Sequence, residues 1–578
     1  MKRTLLLALA LIIAGDLVAW RIQTAGGSVD VRDIRFTGES GTRMSALLYV
    51  PRSANPANPA PGILAVHGYI NSRETQDGFA IEFARRGFVV LAIDQTGHGY
   101  SQPPAFANGY GGPDGLAYLR SLDFVDTANI GLEGHSMGGW AVLIAADADP
   151  AGYRSMVIEG SSTGSAGAPD ATAEYPLNLA VVFSKYDEFS ASMWREAIAA
   201  DVPSGDKLKA AFGTTDPVEP GRVYGSIDGG TARVFHQPPV THPGDHFSRV
   251  AIGHAIDWFQ ATLDGEEPLP TDNQIWFWKE LGNLIALLGM VLLLFPVGSM
   301  LLDLPWFAEL AGAVPPDKAA TGPSWMKAAI LFVTLPPTTL FLFKELGSAL
   351  PTNALLAQGI TTQVATWAVL VGLLSLGFFL LWHRHASREL GTTTDDYGLT
   401  WDGALLKGRV GKSCLLALLI AGVAYVTLMF SSAVFTVDYR FWVFAVKPMS
   451  ALHARIALTY LFPFTLFFLI YGVVLFGQLR RDQTLSRQML LYVALSVIGF
   501  LGLIGIQYTP LFLGGTLAFP SEPLWSIIAF QFVPIMTIVA LVTAYFHRVT
   551  GHVYVGAFLS GMLVTWIVVA SQATHLGF

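Results

Sequence analysis

The sequence predicts two unlike halves: an α/β domain with a mostly parallel sheet over residues 28–264, and an all-α bundle of membrane-spanning helices over residues 282–578. Three observations carry this reading. In the first half, short apolar runs alternate with helical patterns, as strands buried on both faces do. In the second half, apolar runs recur at about the 20-residue length that crosses a bilayer. Charge divides along the same line: residues 22–272 hold 16 Lys and Arg against 30 Asp and Glu, a net of −14, while the rest holds 19 against 13, a net of +6.

Composition narrows the function classes. The 578-residue chain is 52% hydrophobic and 13% charged, with a mean hydropathy of +0.47, which places it among membrane proteins. The acidic first half argues against nucleic acid as a partner, since phosphate contacts need a basic surface. The one cysteine, Cys414, sits in an apolar run and reads as a small buried residue, without a second thiol for a disulfide, redox pair or zinc set. No cofactor or metal is expected.

The elements follow in chain order. Met1, Lys2 and Arg3 precede an apolar run from Leu5 to Trp20, interrupted by Asp16. Residues 1–21 therefore read as a signal-anchor helix, with a cleaved signal peptide as the alternative. Strands are expected at residues 46–50, 62–66, 89–93, 130–132, 156–158, 179–183 and 232–235, with a Pro-rich loop at 51–61. Helical patterns cover residues 140–148, 191–200 and 207–212 and resume near Ser248. Residues 265–281 form a linker with Pro268, Pro270, Trp276, Phe277 and Trp278, a composition suited to the membrane interface. Eight spans are expected at residues 282–302, 326–343, 361–382, 413–435, 456–478, 488–508, 525–546 and 553–572, the second kinked by Pro336 and Pro337.

Basic residues orient these spans. With a cytoplasmic start, inner loops hold ten: Lys318, Arg384, Arg388, Lys407, Arg409, Lys412, Arg480, Arg481, Arg487 and Arg548. Outer loops hold four: Lys344, Arg440, Lys447 and Arg455. The positive-inside rule then puts the α/β domain on the exoplasmic side of the plasma membrane.

The chemistry is signalled at Gly134-His135-Ser136-Met137-Gly138-Gly139, between a short strand and an Ala-rich helix. A Gly-x-Ser-x-Gly turn in that context lifts a serine hydroxyl above the sheet, at a helix N-terminus. Ser136 is the expected nucleophile. Stabilising an oxyanion needs two backbone N–H groups, and Met137 and Tyr69 are placed to supply them, the latter in the loop His67-Gly68-Tyr69 after an earlier strand. His67 reads as a brace for that loop.

Together with Leu64-Ala65-Val66-His67-Gly68 and the run from Ala92 to Ser101, this motif resembles the α/β-hydrolase superfamily, in its serine aminopeptidase and dienelactone-hydrolase-like branches. The resemblance covers residues 28–264, under half of the chain. It implies the chain order serine, acid, histidine. The acid is then Asp187, after the strand at 179–183, with Glu188 and Asp216 as rivals. The base is His246, immediately before the last helix, with His242 as its rival; His236 and His254 read as structural. Asp94, His98 and Ser101 shape a turn, and the roughly 44 residues between Asp187 and the last strand form either a lid over the acyl pocket or a surface excursion that packs on the membrane domain.

The expected function is a membrane-anchored serine hydrolase, esterase or lipase-like, cleaving acyl esters by a Ser-His-Asp acyl-enzyme mechanism at the outer membrane face. Its partners would be the bilayer and a hydrophobic or acyl-containing small molecule. A serine peptidase or an acyltransferase would use the same triad. A transporter or sensor with a ligand-binding hydrolase-like domain is the other class, disfavoured by the intact order of serine, acid and histidine, and the spans hold few of the ionisable residues that mark a transport path.

Overall fold

The computed structural model describes residues 1–264 and 269–577. The first residues of the expected linker, Gly265 to Pro268, and the last residue of the expected membrane half, Phe578, lie outside the described residues.

One eight-stranded sheet organises the first half: β1 (Val29–Thr37), β2 (Arg43–Pro51), β3 (Ala60–Val66), β4 (Val89–Asp94), β5 (Val125–His135), β6 (Ser155–Glu159), β7 (Leu179–Val182) and β8 (Arg233–His236). The strand order is β1-β2-β4-β3-β5-β6-β7-β8. β2 runs antiparallel to β1 and β4, and the pairings from β4 to β8 are parallel. The central strands are buried along their whole length, which their continuous apolar runs demand. Every expected strand is present. β1 is the addition: it sits at the sheet edge with only Val29 and Phe36 buried, and its charged residues hide the strand period.

Helices precede and cover this sheet. α1 (Lys2–Gln23) comes first, then α2 (Asp77–Ala84), α3 (Gly112–Arg120), α4 (Met137–Ala148), the short α5 (Ser190–Met193) and α6 (Asp206–Phe212), and α7 (Arg249–Thr262). α2 and α7 bury Phe79, Phe83, Ile256 and Phe259 against one face, while α3 and α4 bury Leu116, Leu119, Val142 and Leu143 against the other.

The second half is a helical bundle: α8 (Trp276–Leu302), α9 (Gly322–Ser348), α10 (Gly359–Glu389), α11 (Lys407–Phe435), α12 (Ala451–Val474, continued by a π-helical turn to Leu479), α13 (Leu485–Gly514), α14 (Pro523–Thr550) and α15 (Tyr554–Ser571). With α1, nine helices among the described residues are long and apolar enough to cross a membrane. A hairpin of β9 (Tyr439–Phe441) and β10 (Phe444–Val446) links α11 to α12.

α1 is built into the bundle. A Cβ on Gly15 would stand 2.5 Å from the Gly282 carbonyl oxygen, and one on Gly289 would stand 2.9 Å from that of Ala8, so small residues let α1 and α8 meet backbone to backbone. The Ser431 hydroxyl of α11 donates to the Asp16 carboxylate, and Gln23 Nε2 donates to the Phe435 carbonyl. Pro336 and Pro337 lie inside one helical run, with the Pro336 carbonyl accepting from Trp367 Nε1 at 3.1 Å. The Trp-rich linker departs from expectation: Trp276 opens α8 and is buried in the core of the α/β half, leaving Phe277 and Trp278 exposed.

Buried charges weld the halves together. Lys279 of α8 pairs with Asp77 of α2, and Arg440 of the hairpin lies 3.4 Å from Glu74, which also pairs with Arg73. The basic loops gather at the far end of the bundle, where Lys318 pairs with Asp396 and Lys412 with Glu309.

Candidate active site

Ser136 occupies the sharp turn from β5 into α4, with φ 55° and ψ −122°. Few residues tolerate that conformation, and here the surroundings impose it. A Cβ on Gly134 would fall 2.3 Å from the Gly138 carbonyl oxygen, and one on Gly138 would fall 1.9 Å from that of Val66. Both flanking glycines are therefore steric requirements. The Ser136 N–H donates to the Glu159 carbonyl at the end of β6, which ties the turn to the neighbouring strand. The hydroxyl stands at the N-terminus of α4, where Met137 N–H is the first helical amide.

The loop after β3 closes on this serine: a Cβ on Gly68 would lie 2.9 Å from Ser136 Cβ. His67 braces it. Gln95 N–H donates to His67 Nε2 at 3.1 Å, leaving Nδ1–H to donate to the Gly68 carbonyl at 2.6 Å. Burial holds this imidazole neutral, its pKa lowered to about 4. Tyr69, the expected second oxyanion donor, follows directly. Asp94 accepts from Arg73 N–H, Ser45 Oγ and Tyr100 N–H, and Ser101 Oγ donates to the Asp94 carbonyl, so this segment shapes a turn as expected.

Asp187 lies in the loop after β7 and is 2% exposed. Its Oδ1 accepts from Phe189 N–H at 2.8 Å, and its Oδ2 lies 2.8 Å from His242 Nδ1. His242, not His246, is the imidazole joined to the acid. The reason is local geometry. Residues His242–Phe247 form a 3₁₀ turn ahead of α7, and positions four apart in such a turn face different directions. His242 opens the turn and faces Asp187 and the ring of Phe189, 4.6 Å away. His246 points behind the site, its ring 4.1 Å from His135 and edge-on to Phe79. Among the described residues neither ring nitrogen of His246 has a hydrogen-bond partner.

Burial governs the electrostatics. It lowers His242 to about 4, so the imidazole is neutral at physiological pH. Burial, and then the charge of Asp245, push the Asp187 carboxyl upward, opposed by the Phe189 N–H. Of the rival acids, Asp216 is exposed on the loop after α6, where its backbone N–H donates to Thr214 Oγ1. Glu188 is buried and braces the histidine's backbone instead of its ring, with Oε2 accepting the His242 N–H at 2.7 Å. Its Oε1 accepts from the Tyr508 hydroxyl of α13 at 2.8 Å. Burial, with Asp187 beside it, raises Glu188 to about 8.

Tyr508 belongs to a wider contact that the sequence did not foretell. The loops at the C-terminal ends of the parallel strands, where Ser136, Asp187 and His242 lie, are capped by the bundle. Trp442 Nε1 donates to the Pro243 carbonyl at 2.9 Å. Tyr186 meets Phe512 ring to ring at 5.1 Å. Tyr69 Oη is 3.1 Å from His575 Nε2, and Thr574 exchanges backbone hydrogen bonds with Ala105 and Gly97. The excursion after Asp187 buries Met193, Trp194 and Phe212 in the α/β core and sets Ile198 against Gly515.

The sheet order and the strained serine turn define this half as an α/β-hydrolase domain. The family model it matches, over residues 57–186, is that of serine aminopeptidase, S33. That match includes Ser136 and stops one residue short of Asp187. The chain joins this hydrolase domain to a bundle of membrane-span-length helices. No curated protein matches it. Among solved structures, a hypothetical protein of Pseudomonas aeruginosa is similar at 26% identity, covering 23% of this chain and 43% of that one, with a TM-score of 0.21. An esterase of Pyrobaculum calidifontis is similar at 16% identity over 44% of this chain and 93% of its own, with a TM-score of 0.30. A Pyrococcus furiosus esterase aligns at 15% identity over 41% and 95%, with a TM-score of 0.30.

Proposed function

We propose that this protein is a membrane-embedded serine esterase of lipase-like type, acting at the outer face of the plasma membrane. The observation that carries the reading is Ser136, held at φ 55° above the same sheet edge as the hydrogen-bonded Asp187–His242 pair. In this reading His242 Nε2 takes the Ser136 proton as the hydroxyl attacks the ester carbonyl. Asp187 holds the tautomer with Nδ1–H directed at its carboxylate. The N–H groups of Tyr69 and Met137 receive the oxyanion. The leaving alcohol takes the proton from His242. Water, deprotonated by the same imidazole, then cleaves the acyl-enzyme.

An apolar substrate is favoured because the loops around Asp187 and His242 lie against the bundle, with aromatic side chains on both sides of the seam. The basic loops at the opposite end of the bundle support an exoplasmic catalytic domain. Labelling of the full chain in nanodiscs by a fluorophosphonate tests the nucleophile. A panel of acyl esters, peptides and acyl acceptors tests the reaction. Turnover confined to aminoacyl or peptide substrates would replace esterase by peptidase.

A further inference from the structure

A cleft of about 760 Å³ lies between the edge of the α/β sheet and the start of α12, away from Ser136. Strands β1 and β2 and the turn at residues 97–103 wall it on one side, and residues 450–455 on the other. That is room for a small-molecule ligand. Three arginines line it: Arg35 from β1, Arg43 from β2 and Arg455 from α12. All three are exposed, and among the described residues no carboxylate lines the cleft. Asp33, outside it, pairs with Arg35 but is shared with the buried Arg73. Arg35 also lies 4.5 Å over the ring of Tyr100, which holds its guanidinium in the cleft wall.

Two of these arginines belong to a half that is otherwise acidic, with a net charge of −14 over residues 22–272. Like charges gathered around one cavity repel one another, and a bound anion offsets that cost. The planar fork of a guanidinium matches phosphate oxygens in particular.

The bundle side of the cleft says where such an anion comes from. α12 starts here, capped by Ser450 Oγ, which accepts the His453 N–H at 3.1 Å. The helix is long and apolar enough to cross a membrane. Leu458 and Phe462 follow Arg455 three and seven positions on, along the same helix face, and are 73% and 74% exposed. On a membrane span such side chains face acyl chains, and an arginine at the end of that face stands at headgroup level. Basic cleft and apolar stripe are thus continuous, as the head and tails of a lipid are.

We propose that this cleft binds the phosphate of an anionic phospholipid from the leaflet facing the α/β half, with the lipid chains lying along Leu458 and Phe462. The site is separate from the serine centre and does not rest on the esterase reading.

Native mass spectrometry of the full chain in detergent tests this, with phosphatidylglycerol and phosphatidylcholine as probes. Phosphatidylglycerol is expected to bind more tightly. An arginine at the membrane surface contributes about fivefold, so the double variant Arg43→Gln/Arg455→Gln should weaken phosphatidylglycerol by about 25-fold and leave phosphatidylcholine unchanged. If thermal unfolding shows that variant to be misfolded, Arg43→Gln alone, outside the spans, should weaken it by about fivefold. Equal affinity for the two lipids, or undiminished phosphatidylglycerol binding in a folded variant, would overturn the site. Arg384→Gln/Arg388→Gln, in the basic loops at the far end of the bundle, should change nothing, and an equal loss there would show that the lipid reads overall charge and no cleft. Displacement of phosphatidylglycerol by inorganic phosphate at the same concentration would make the ligand a soluble anion and overturn the lipid assignment.

Discussion

Ser136 and His242 are the residues on which the proposed chemistry turns. Ser136→Ala is expected to reduce ester hydrolysis by roughly 10⁴-fold or more with the fold intact, because a triad acts as a unit. Measured kcat with a thermal-unfolding control checks this, and a loss of a few fold would rule out the nucleophile. His242→Ala is expected to match it. His246→Ala removes a ring that touches His135 and Phe79 and not the acid, so it should cost stability and leave kcat within about tenfold. The opposite ranking would return the base to His246. The pH profile gives an independent check. Burial lowers His242 from the usual 6.5 to about 4, and the neutral imidazole is the active form. The proton is therefore taken up only as pH falls through the lowered value. The acid limb of kcat/KM should run flat through 6.5 and decline toward about 4, whereas a limb centred at 6.5 would place the base in a wetter site than this one.

At the scale of elements, the loop that carries His242 is held from two sides, and one of them is a membrane helix. Tyr508 of α13 donates to Glu188, and Glu188 accepts the His242 N–H, although Tyr508 and Glu188 are 320 residues apart in sequence. Tyr508→Phe leaves a buried carboxyl oxygen of Glu188 without its donor, a loss worth about 1–3 kcal/mol. We expect kcat to fall about tenfold with KM little changed, and rates equal to wild type would show that the hydrogen bond does not position the base. This contact also marks where sequence reading stops. The strands β2 to β8 were legible because buried parallel strands are continuous apolar runs, and the serine turn because its glycines are sterically forced. Edge strand β1 was not, since its mixture of Arg, Asp and half-buried aliphatics follows no clean period. The choice between His242 and His246 depended on a 3₁₀ turn that no local signal announces, and Tyr508 on a tertiary contact with no local signal at all. Trp276 shows the converse: its composition suits an interface, yet its ring fills the α/β core.

In the whole molecule, the seam joins two halves that each leave unfinished surface. Sidedness is checked with Cys414 replaced by serine and single cysteines at Ser165→Cys and Thr393→Cys. An impermeant maleimide should reach the first in intact cells and the second only after permeabilisation, and early labelling at 393 would invert the topology. The larger question is whether the bundle is an anchor or part of the enzyme. Were it an anchor, residues 28–264 alone would be soluble and as active as the full chain. The contacts argue otherwise. Ile70 is buried in the bundle core, and Tyr69 and Tyr186 lie against His575 and Phe512. The Pro243 carbonyl and Glu188 are hydrogen-bonded from Trp442 and Tyr508. Without the bundle these apolar groups form an exposed patch beside the site, a surface that soluble monomers avoid. Asp77 loses its ion pair with Lys279, and Glu74 loses Arg440 and keeps only Arg73. The 3₁₀ turn carrying His242 loses both of its external braces. The isolated domain is therefore expected to aggregate, or, where it stays soluble, to hydrolyse a short ester with kcat/KM at least about tenfold below the full chain in nanodiscs. A soluble fragment with the activity of the intact protein would reduce the bundle to a tether.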